Sequence, residues 1–559
     1  MISYMEILKQ NMADLQSYIQ VLLICAVSTI FIGSIILRKR KQNHSSLPLP
    51  PGPKALPIIG HLHLLSSTPH QDFYKFSTRY GPIIHLYLGS APCVVVSTAE
   101  AAREFLKTHE TSFSDRPAQT VAIETLTYGF KDFLFAPYGP YWKFMKKVCM
   151  SELLGGKMLH QLLHVRQQET RRFLSVLVKK GVAGEAVDVG AQLMTLSNNI
   201  VSRMIMRQTS CGDGESDEEV VRKLVADTAE LTGKFNLSDF LWFLKDLDVQ
   251  GFKKKLKEIR VRFDGLLDRA IEEHKHESKK NKGEGARDIL DVLLHISEDE
   301  TADIKLDTEN IKAFIMDILV AGTDTTAVTM EWAMAELMKN PDVMEKARQE
   351  VDSVVGKKRI VEESDIPNLA YIQAIVKETL RLHPAGPLLF RQCSRRAIVN
   401  GYEIPAKCRL FVNVWAIGRD PNHWENPLEF RPERFIGKHM DVRGQQYELI
   451  PFGSGRRMCP GISLALQIAH VTLAAMIQCF EWKLHDDEKI LDMEEKPAGI
   501  DILVAGTDTT AVTMEWATAE LINNPRVMEK ARQELDAVIG KKRIVDESDI
   551  VNLPTFRPL

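Results

Sequence analysis

Apolar residues recur at a helical period over Thr98–Thr108, Tyr141–Leu154, Leu256–His276, Glu309–Lys339 and Pro341–Val355. Such spacing predicts helices with one buried face. Runs rich in β-branched and aromatic residues at Ile83–Leu88, Cys93–Ser97 and Arg409–Ala416 predict strands. The balance is that of a mainly α chain with small β-sheets. The charged segment His274–Arg287 reads as a solvated loop rather than a binding patch. One apolar run differs in kind: Tyr18 to Leu37 is 20 residues without a charge, long enough to cross a bilayer core of about 30 Å as a helix. Arg38, Lys39, Arg40 and Lys41 follow it, whereas the N-terminal flank has only Lys9. That asymmetry predicts a membrane anchor with everything after residue 41 in the cytosol. A cleaved signal peptide is the competing reading, disfavoured by the length and the basic exit. Between Leu47 and Gly60 stand Pro48, Pro50, Pro51, Pro53 and Pro57, which predict a stiff, extended strap or a plain proline linker.

Composition narrows the classes. In 559 residues, 45% are hydrophobic and 26% charged, which excludes a disordered tail, a collagen-like fibre and a multi-span channel. Net charge is −3, from 71 Lys+Arg and 74 Asp+Glu, so no bulk attraction to nucleic acid is implied. The eight cysteines are scattered with no C-x-x-C among them, against a disulfide framework or a structural zinc site. There is no G-x-G-x-x-G and no P-loop. Any reducing electrons must therefore come from another protein.

The tail repeats part of the middle. Asp501–Leu553 copies Asp317–Leu369 with 9 differences in 53 positions. Two copies 184 residues apart are not a solenoid, which needs several contiguous short repeats. The copy includes a second AGTDTT, at Ala505–Thr510.

Candidate chemistry centres on Phe452-Gly-Ser-Gly-Arg-Arg-Met-Cys-Pro-Gly461. Phe452, Gly455, Arg457, Cys459 and Gly461 fit F-x-x-G-x-R-x-C-x-G. Glycines at 453, 455 and 461 permit a tight loop and close approach to a flat cofactor. Arg457 can pair with a carboxylate such as a haem propionate. Cys459, among backbone N–H donors and beside Arg456 and Arg457, is expected to have a lowered pKa and to serve as a thiolate ligand to haem iron. A plain glycine turn with a buried Cys is the alternative.

In these residues the chain resembles a plant membrane-bound cytochrome P450, from the anchor to about Gly499. The resemblance implies a P450 fold, haem b as cofactor and Cys459 as the axial iron ligand. Glu378 and Arg381 form E-x-x-R on one helix face. The pattern alone is weak, since Glu100–Arg103, Glu169–Arg172 and Glu345–Arg348 share it. Context selects Glu378: His383-Pro384 ends its helix, and PERF follows at Pro432–Phe435. By resemblance, Glu378, Arg381 and Arg434 form a structural salt-bridge triad behind the haem. Ala321–Thr326, AGTDTT, places poor helix formers inside a long apolar helix, and threonine back-bonding there predicts a local opening. Alone it would read as a plain kink. The resemblance makes it the oxygen-binding groove, with Thr325 positioning dioxygen and its protonating water and Asp324 relaying protons. Trp142 and Lys146, at i,i+4 after a Pro137–Pro140 turn, and Arg391 resemble propionate-binding positions; a Lys at 146 forgoes the bidentate contact of an Arg. Lys143 and Lys147 lie off that side, where an acidic electron donor or plain solvent would meet them.

Within the plant P450s, AGTDTTAVTMEWA, DVRGQQYELIPFGSGRR and HPAGPLLFR resemble the flavonoid-modifying family of dihydroxypterocarpan 6a-monooxygenase, flavone synthase II and isoflavone synthase. Phe390, where isoflavone synthases carry Lys, argues against aryl migration. The implied division is an anchor with its basic flank over 1–46, a hinge over 47–60, a haem domain over 61–499, and a copied segment over 500–559 in place of the usual C-terminal hairpin. The implied function is hydroxylation of an apolar plant metabolite with O2, using electrons from NADPH–cytochrome P450 reductase at the endoplasmic reticulum membrane. A haem-binding protein with little turnover, because the pocket hairpin is missing, is the alternative.

Overall fold

The computed structural model describes residues 47–483 except 118–119, 207–216, 234–235, 242–243, 245–247 and 281–287, and also Met493. The anchor and the copied tail lie outside the described residues.

The chain folds as helices around two apolar rods, with a four-stranded sheet at one side. Helix α1 (Pro69–Tyr80) precedes strands β1 (Ile83–Leu88) and β2 (Ala91–Val96). Helix α2 (Ala99–Arg103) starts from a Thr98 cap, whose hydroxyl accepts from Ala101 N, and its last turn, Glu104–Thr108, widens into a π-helix. Helix α3 (Pro140–Val148) likewise relaxes into a π turn at Cys149–Leu153. Both regions were expected as single helices from their periodicity. Later come α4 (Val189–Ile205), α5 (Phe252–Lys280), α6 (Thr308–Lys339), α7 (Ala370–Leu382), strand β3 (Leu388–Gln392), strand β4 (Arg409–Asn413) and α8 (Ile462–Cys479). The sheet order is β1-β2-β4-β3. β1 and β3 pair antiparallel with their neighbours, but β2 and β4 run parallel, with Cys93 opposite Arg409.

Helices α6 and α8 are long and apolar enough to cross a membrane, yet 61% of each apolar window is buried; they are the interior rods of the domain. α6 is held close to α4 because Gly322 has no side chain: a Cβ there would stand 3.1 Å from Val201 Cγ2. An Asp307–Asn310 capping box starts α6, satisfying its first free N–H groups.

The proline segment is not a free linker. Pro48 O accepts from Glu403 N at 3.0 Å and Pro51 O from His85 N at 2.9 Å, so the strap lies along the β region. Two other expectations are corrected. The segment His274–Arg287 is not a loop throughout: α5 continues to Lys280. His274 is buried, with Nε2 2.8 Å from Asp288 Oδ2, and this polar pairing satisfies a ring the charged neighbourhood suggested was solvated. The strand expected over Arg409–Ala416 stops at Asn413, whose side chain accepts from Ala416 N and caps a short helix, Val414–Ile417.

Behind α6 and α8, Glu378 on α7 binds Arg381 through two contacts, Nε to Oε2 at 2.7 Å and Nη2 to Oε1 at 2.8 Å. Arg434 Nε reaches Oε1 at 2.9 Å. Arg381 donates onward to Gly418 O at 2.6 Å and Pro427 O at 2.7 Å, and its guanidinium lies over the Trp424 ring. Gly418 has an ordinary helical φ of −65°, but a Cβ there would sit 2.3 Å from Arg381 O. Gly418→Ala is therefore expected to cost about 1–3 kcal/mol by overpacking alone, read as a lowered Tm. An unchanged Tm would show that the backbone gives way.

Candidate functional site

The Cys loop is closed by its own backbone. Gly453 N donates to Ile450 O at 2.9 Å, Met458 N to Gly455 O at 3.0 Å and Cys459 N to Phe452 O at 3.0 Å. Ser454 Oγ, buried, donates to Gly444 O at 2.6 Å. Gly455, at φ +70°, is required for a reason other than cofactor approach: a Cβ there would meet Glu110 Oε1 at 2.6 Å. That carboxylate accepts from Arg456 N at 2.6 Å and Arg456 Nε at 3.0 Å. Gly461 has φ −83° and is the N-cap of α8; a Cβ there would stand 3.8 Å from Cys459 Sγ, an ordinary contact.

Cys459 lines a cavity of about 330 Å3 between the loop, α6 and β3. Its walls are mostly apolar, including Phe133, Phe314, Ile318, Leu388 and Ala465. Burial pushes the Cys459 thiol up, against the pull of Gly461 N–H, Lys146 and Arg116. The expectation of a thiol lowered by Arg456 and Arg457 is thus corrected. Arg456 turns outward to Glu110 and the Tyr138 hydroxyl, and Arg457 donates to Ser114 O at 2.8 Å and Ala136 O at 2.5 Å. A thiolate here would be made by its metal, through proton release on binding.

One end of the cavity gathers buried cations. Arg391, from β3, donates to Phe390 O at 2.9 Å and Arg457 O at 3.3 Å. Burial, reinforced by Arg457, lowers its pKa to about 9, and burial lowers that of Arg457 to about 10. Arg116 is pushed well below the usual arginine range by burial and then by Arg391 and Arg457. Nothing in its sequence context, FSDRP, marks it among the 71 basic residues, and sequence reasoning missed it. Trp142 stacks on Phe133 with 5.8 Å between ring centroids, and Arg457 lies over its face. Arg116 Nε, Arg457 Nη1 and Trp142 Nε1 are buried donors without an acceptor. Three such donors around a slot floored by a cysteine fit a flat, dianionic carboxylate-bearing cofactor, as haem is. Lys146, expected in the same role, donates to Met458 O at 3.0 Å and braces the Cys loop.

On α6, Thr325, Thr326 and Thr329 line the cavity. Thr323, Thr325 and Thr329 hydroxyls donate to the carbonyls four residues back, at 2.7–2.8 Å. The helix nevertheless runs unbroken over its 32 residues. The expected local opening is absent there, because these bonds are added to the ladder rather than substituted for it. Asp324, about 100° round the helix from Thr325, is buried but is not among the cavity-lining residues. Burial alone pushes its carboxyl up to about 6. Glu378, Arg381 and Arg434 also stay off the cavity, while Val376 and Leu380 of α7 line it. The arrangement brings Cys459, Thr325, Trp142, Arg391 and Arg457 to one space and leaves Asp324 and the ion-pair cluster behind it.

Two outcomes are expected. A raised pKa makes the folded state prefer neutral Asp324, so its stabilising protonation is present below pH 4 and is lost as pH climbs through 6. Asp324→Asn should thus gain stability over the parent, roughly 3 kcal/mol at pH 8 and about half that at pH 5; a Tm difference independent of pH would contradict this. Arg116→Met should speed haem transfer to apomyoglobin about tenfold or more, yet not lower the Tm of the haem-free protein, because the relief of a buried charge with no ion-pair partner offsets the loss of its one hydrogen bond, Nη1 to Phe390 O at 2.8 Å.

Comparison with known proteins gives a consistent picture. The family model described as Cytochrome P450 matches residues 50–500 and, a second time, 498–557. Over 488 residues the chain is 69% identical to "Cytochrome P450 93A3" of Glycine max, covering 86% of this chain and 95% of that one. It is 65% identical over 487 residues to "3,9-dihydroxypterocarpan 6A-monooxygenase" of Glycine max, covering 85% and 94%. To "2-hydroxyisoflavanone synthase" of Glycyrrhiza uralensis it is 44% identical, covering 78% and 84%. A solved zebra fish cytochrome P450 with progesterone matches at a TM-score of 0.64 and 28% identity, covering 73% of this chain and 92% of that one.

Proposed function

The chain belongs to the cytochrome P450 family and is a haem-dependent monooxygenase, and on that premise we propose that it hydroxylates a flavonoid- or isoflavonoid-like specialised metabolite. The single observation that carries the reading is the convergence of three unpaired buried donors, Arg116 Nε, Trp142 Nε1 and Arg457 Nη1, on the cavity that Cys459 floors. The substrate class is taken from the pterocarpan monooxygenase relative and from apolar walls suited to a fused-ring compound.

Haem held by Cys459 supplies the activation of dioxygen. Arg116, Arg391, Arg457 and Trp142 would hold it by its carboxylates, Phe452 O accepts from Cys459 N and shapes the loop, and Lys146 holds the loop through Met458 O. Thr325 Oγ1 spends its own hydrogen on Ala321 O and so shows lone pairs to the cavity, where it accepts from water and fixes the direction of that water's other proton. Asp324, poised near pH 6 behind the same turn, serves as a proton reservoir. Glu378, Arg381 and Arg434 act in folding. Electrons come from a redox partner, which we take to be NADPH–cytochrome P450 reductase, docking where Lys143 and Lys147 are exposed beside the Cys loop. Residues 18–37 would make the single pass in the endoplasmic reticulum membrane.

Reconstitution with reductase and 3,9-dihydroxypterocarpan should give a 450 nm reduced–CO band and an NADPH-dependent hydroxylated product. Cys459→Ala should lose the band. Thr325→Ala should keep haem but release more peroxide per NADPH; unchanged coupling would remove Thr325 from proton positioning.

A further inference from the structure

Asp317 stands eight residues before Thr325 on α6, roughly 12 Å along the axis at 1.5 Å per residue. Both side chains line the cavity, and Asp317 is the one carboxyl among its described lining residues. Oδ2 accepts from Phe133 N and Leu134 N, each at 2.9 Å. These two amides fix the carboxyl, and none of the described residues bonds Oδ1 or lies within ion-pair distance of it. Around it are Phe133, Leu134, Phe314 and Ile318. A ligand that fills this end of the cavity with hydrocarbon would bury Oδ1 without a partner, a loss that a fixed carboxyl cannot avoid by turning.

We propose that Asp317 determines specificity: its Oδ1 hydrogen-bonds a hydroxyl of the substrate at the end remote from the carbon oxidised beside Thr325. The preferred substrate is then a rigid fused-ring phenol or alcohol that spans the two turns of helix. This rests on the monooxygenase reading above and names the feature the site selects. A hydroxyl both donates and accepts, so it satisfies Oδ1 whether the carboxyl is protonated or ionised. Burial and then Asp132 hold this carboxyl well up, against the pull of the Leu134 and Phe133 amides and of Arg116. Thr325 and Thr329 give their hydroxyl hydrogens to backbone carbonyls and so can only accept from a ligand, and both stand about two turns or more along α6 from Asp317.

The test is calorimetric binding to the full-length holoenzyme. The probes are 3,9-dihydroxypterocarpan, its two monodeoxy analogues and the amino analogue of each hydroxyl. In the parent, loss of one particular hydroxyl should weaken binding roughly tenfold or more and loss of the other less than threefold. Asp317→Asn, which still accepts from the Phe133 and Leu134 amides and still offers a polar group, should keep most of that preference. Asp317→Ala should abolish it, and Asp317→Ser, whose short side chain cannot reach, should do the same if the alanine variant does not hold haem. The preference is a ratio within one preparation, so a general loss of folded protein does not move it. Equal binding of all the probes by the parent, retention of the preference in the alanine or serine variant, or tighter binding of an amino analogue would overturn the proposal. A protein that bound the probes with this preference but oxidised none would refute the function and leave the Asp317 assignment standing.

Discussion

Glu378 and Arg381, both fully buried, form the contact on which the architecture around the site depends. A lone buried charge would be intolerable, but here every strong group is matched: the carboxylate takes two arginines and Arg431 N, and Arg381 spends its remaining donors on Gly418, Pro427 and Glu429 carbonyls. Removing one partner would strand the others, and that makes the cluster stiff. It ties α7, whose other face lines the cavity, to the irregular stretch that leads into the Cys loop. Long irregular chain is normally mobile because its backbone groups lack regular partners. In this region arginine side chains supply them.

The cation-lined end of the cavity is under the reverse constraint. Arg116, Arg391 and Arg457 are crowded together in apolar surroundings, their charged forms are disfavoured by burial, and three donors nearby have no acceptor. Such a cluster stores unfavourable electrostatic energy that an anion bearing two carboxylates releases. The neutral surroundings that raise the Cys459 thiol belong to the same economy of burial. Metal affinity and carboxylate recognition are therefore coupled by one cavity, with polar groups gathered at one end and hydrocarbon over most of its wall.

Along α6 the polar groups divide the work by helical phase. Thr325 and Asp317 face the cavity two turns apart, while Asp324 is carried away from it by a single residue step. The threonine back-bonds leave the helix unbroken, so this phase is rigid, and the spacing between groups is set by helix pitch rather than by loop conformation.

Much of this was legible from local pattern. The period of apolar residues marked α6 and four further helical stretches, and the glycine, arginine and cysteine spacing of 452–461 marked the loop, because helix phase and turn conformation depend on near neighbours. The repeat of 317–369 in the tail is likewise a property of the string. What only the tertiary structure decided depends on chain segments far apart: the parallel pairing of β2 with β4, Glu110 filling the space Gly455 leaves, Arg116 joining Arg391 and Arg457, and Asp317 locked by the Phe133 and Leu134 amides. The direction of the Cys459 shift was misjudged for the same reason. Neighbouring arginines in sequence suggested a lowered pKa, but electrostatics follow distance and burial in space, and both arginines point elsewhere.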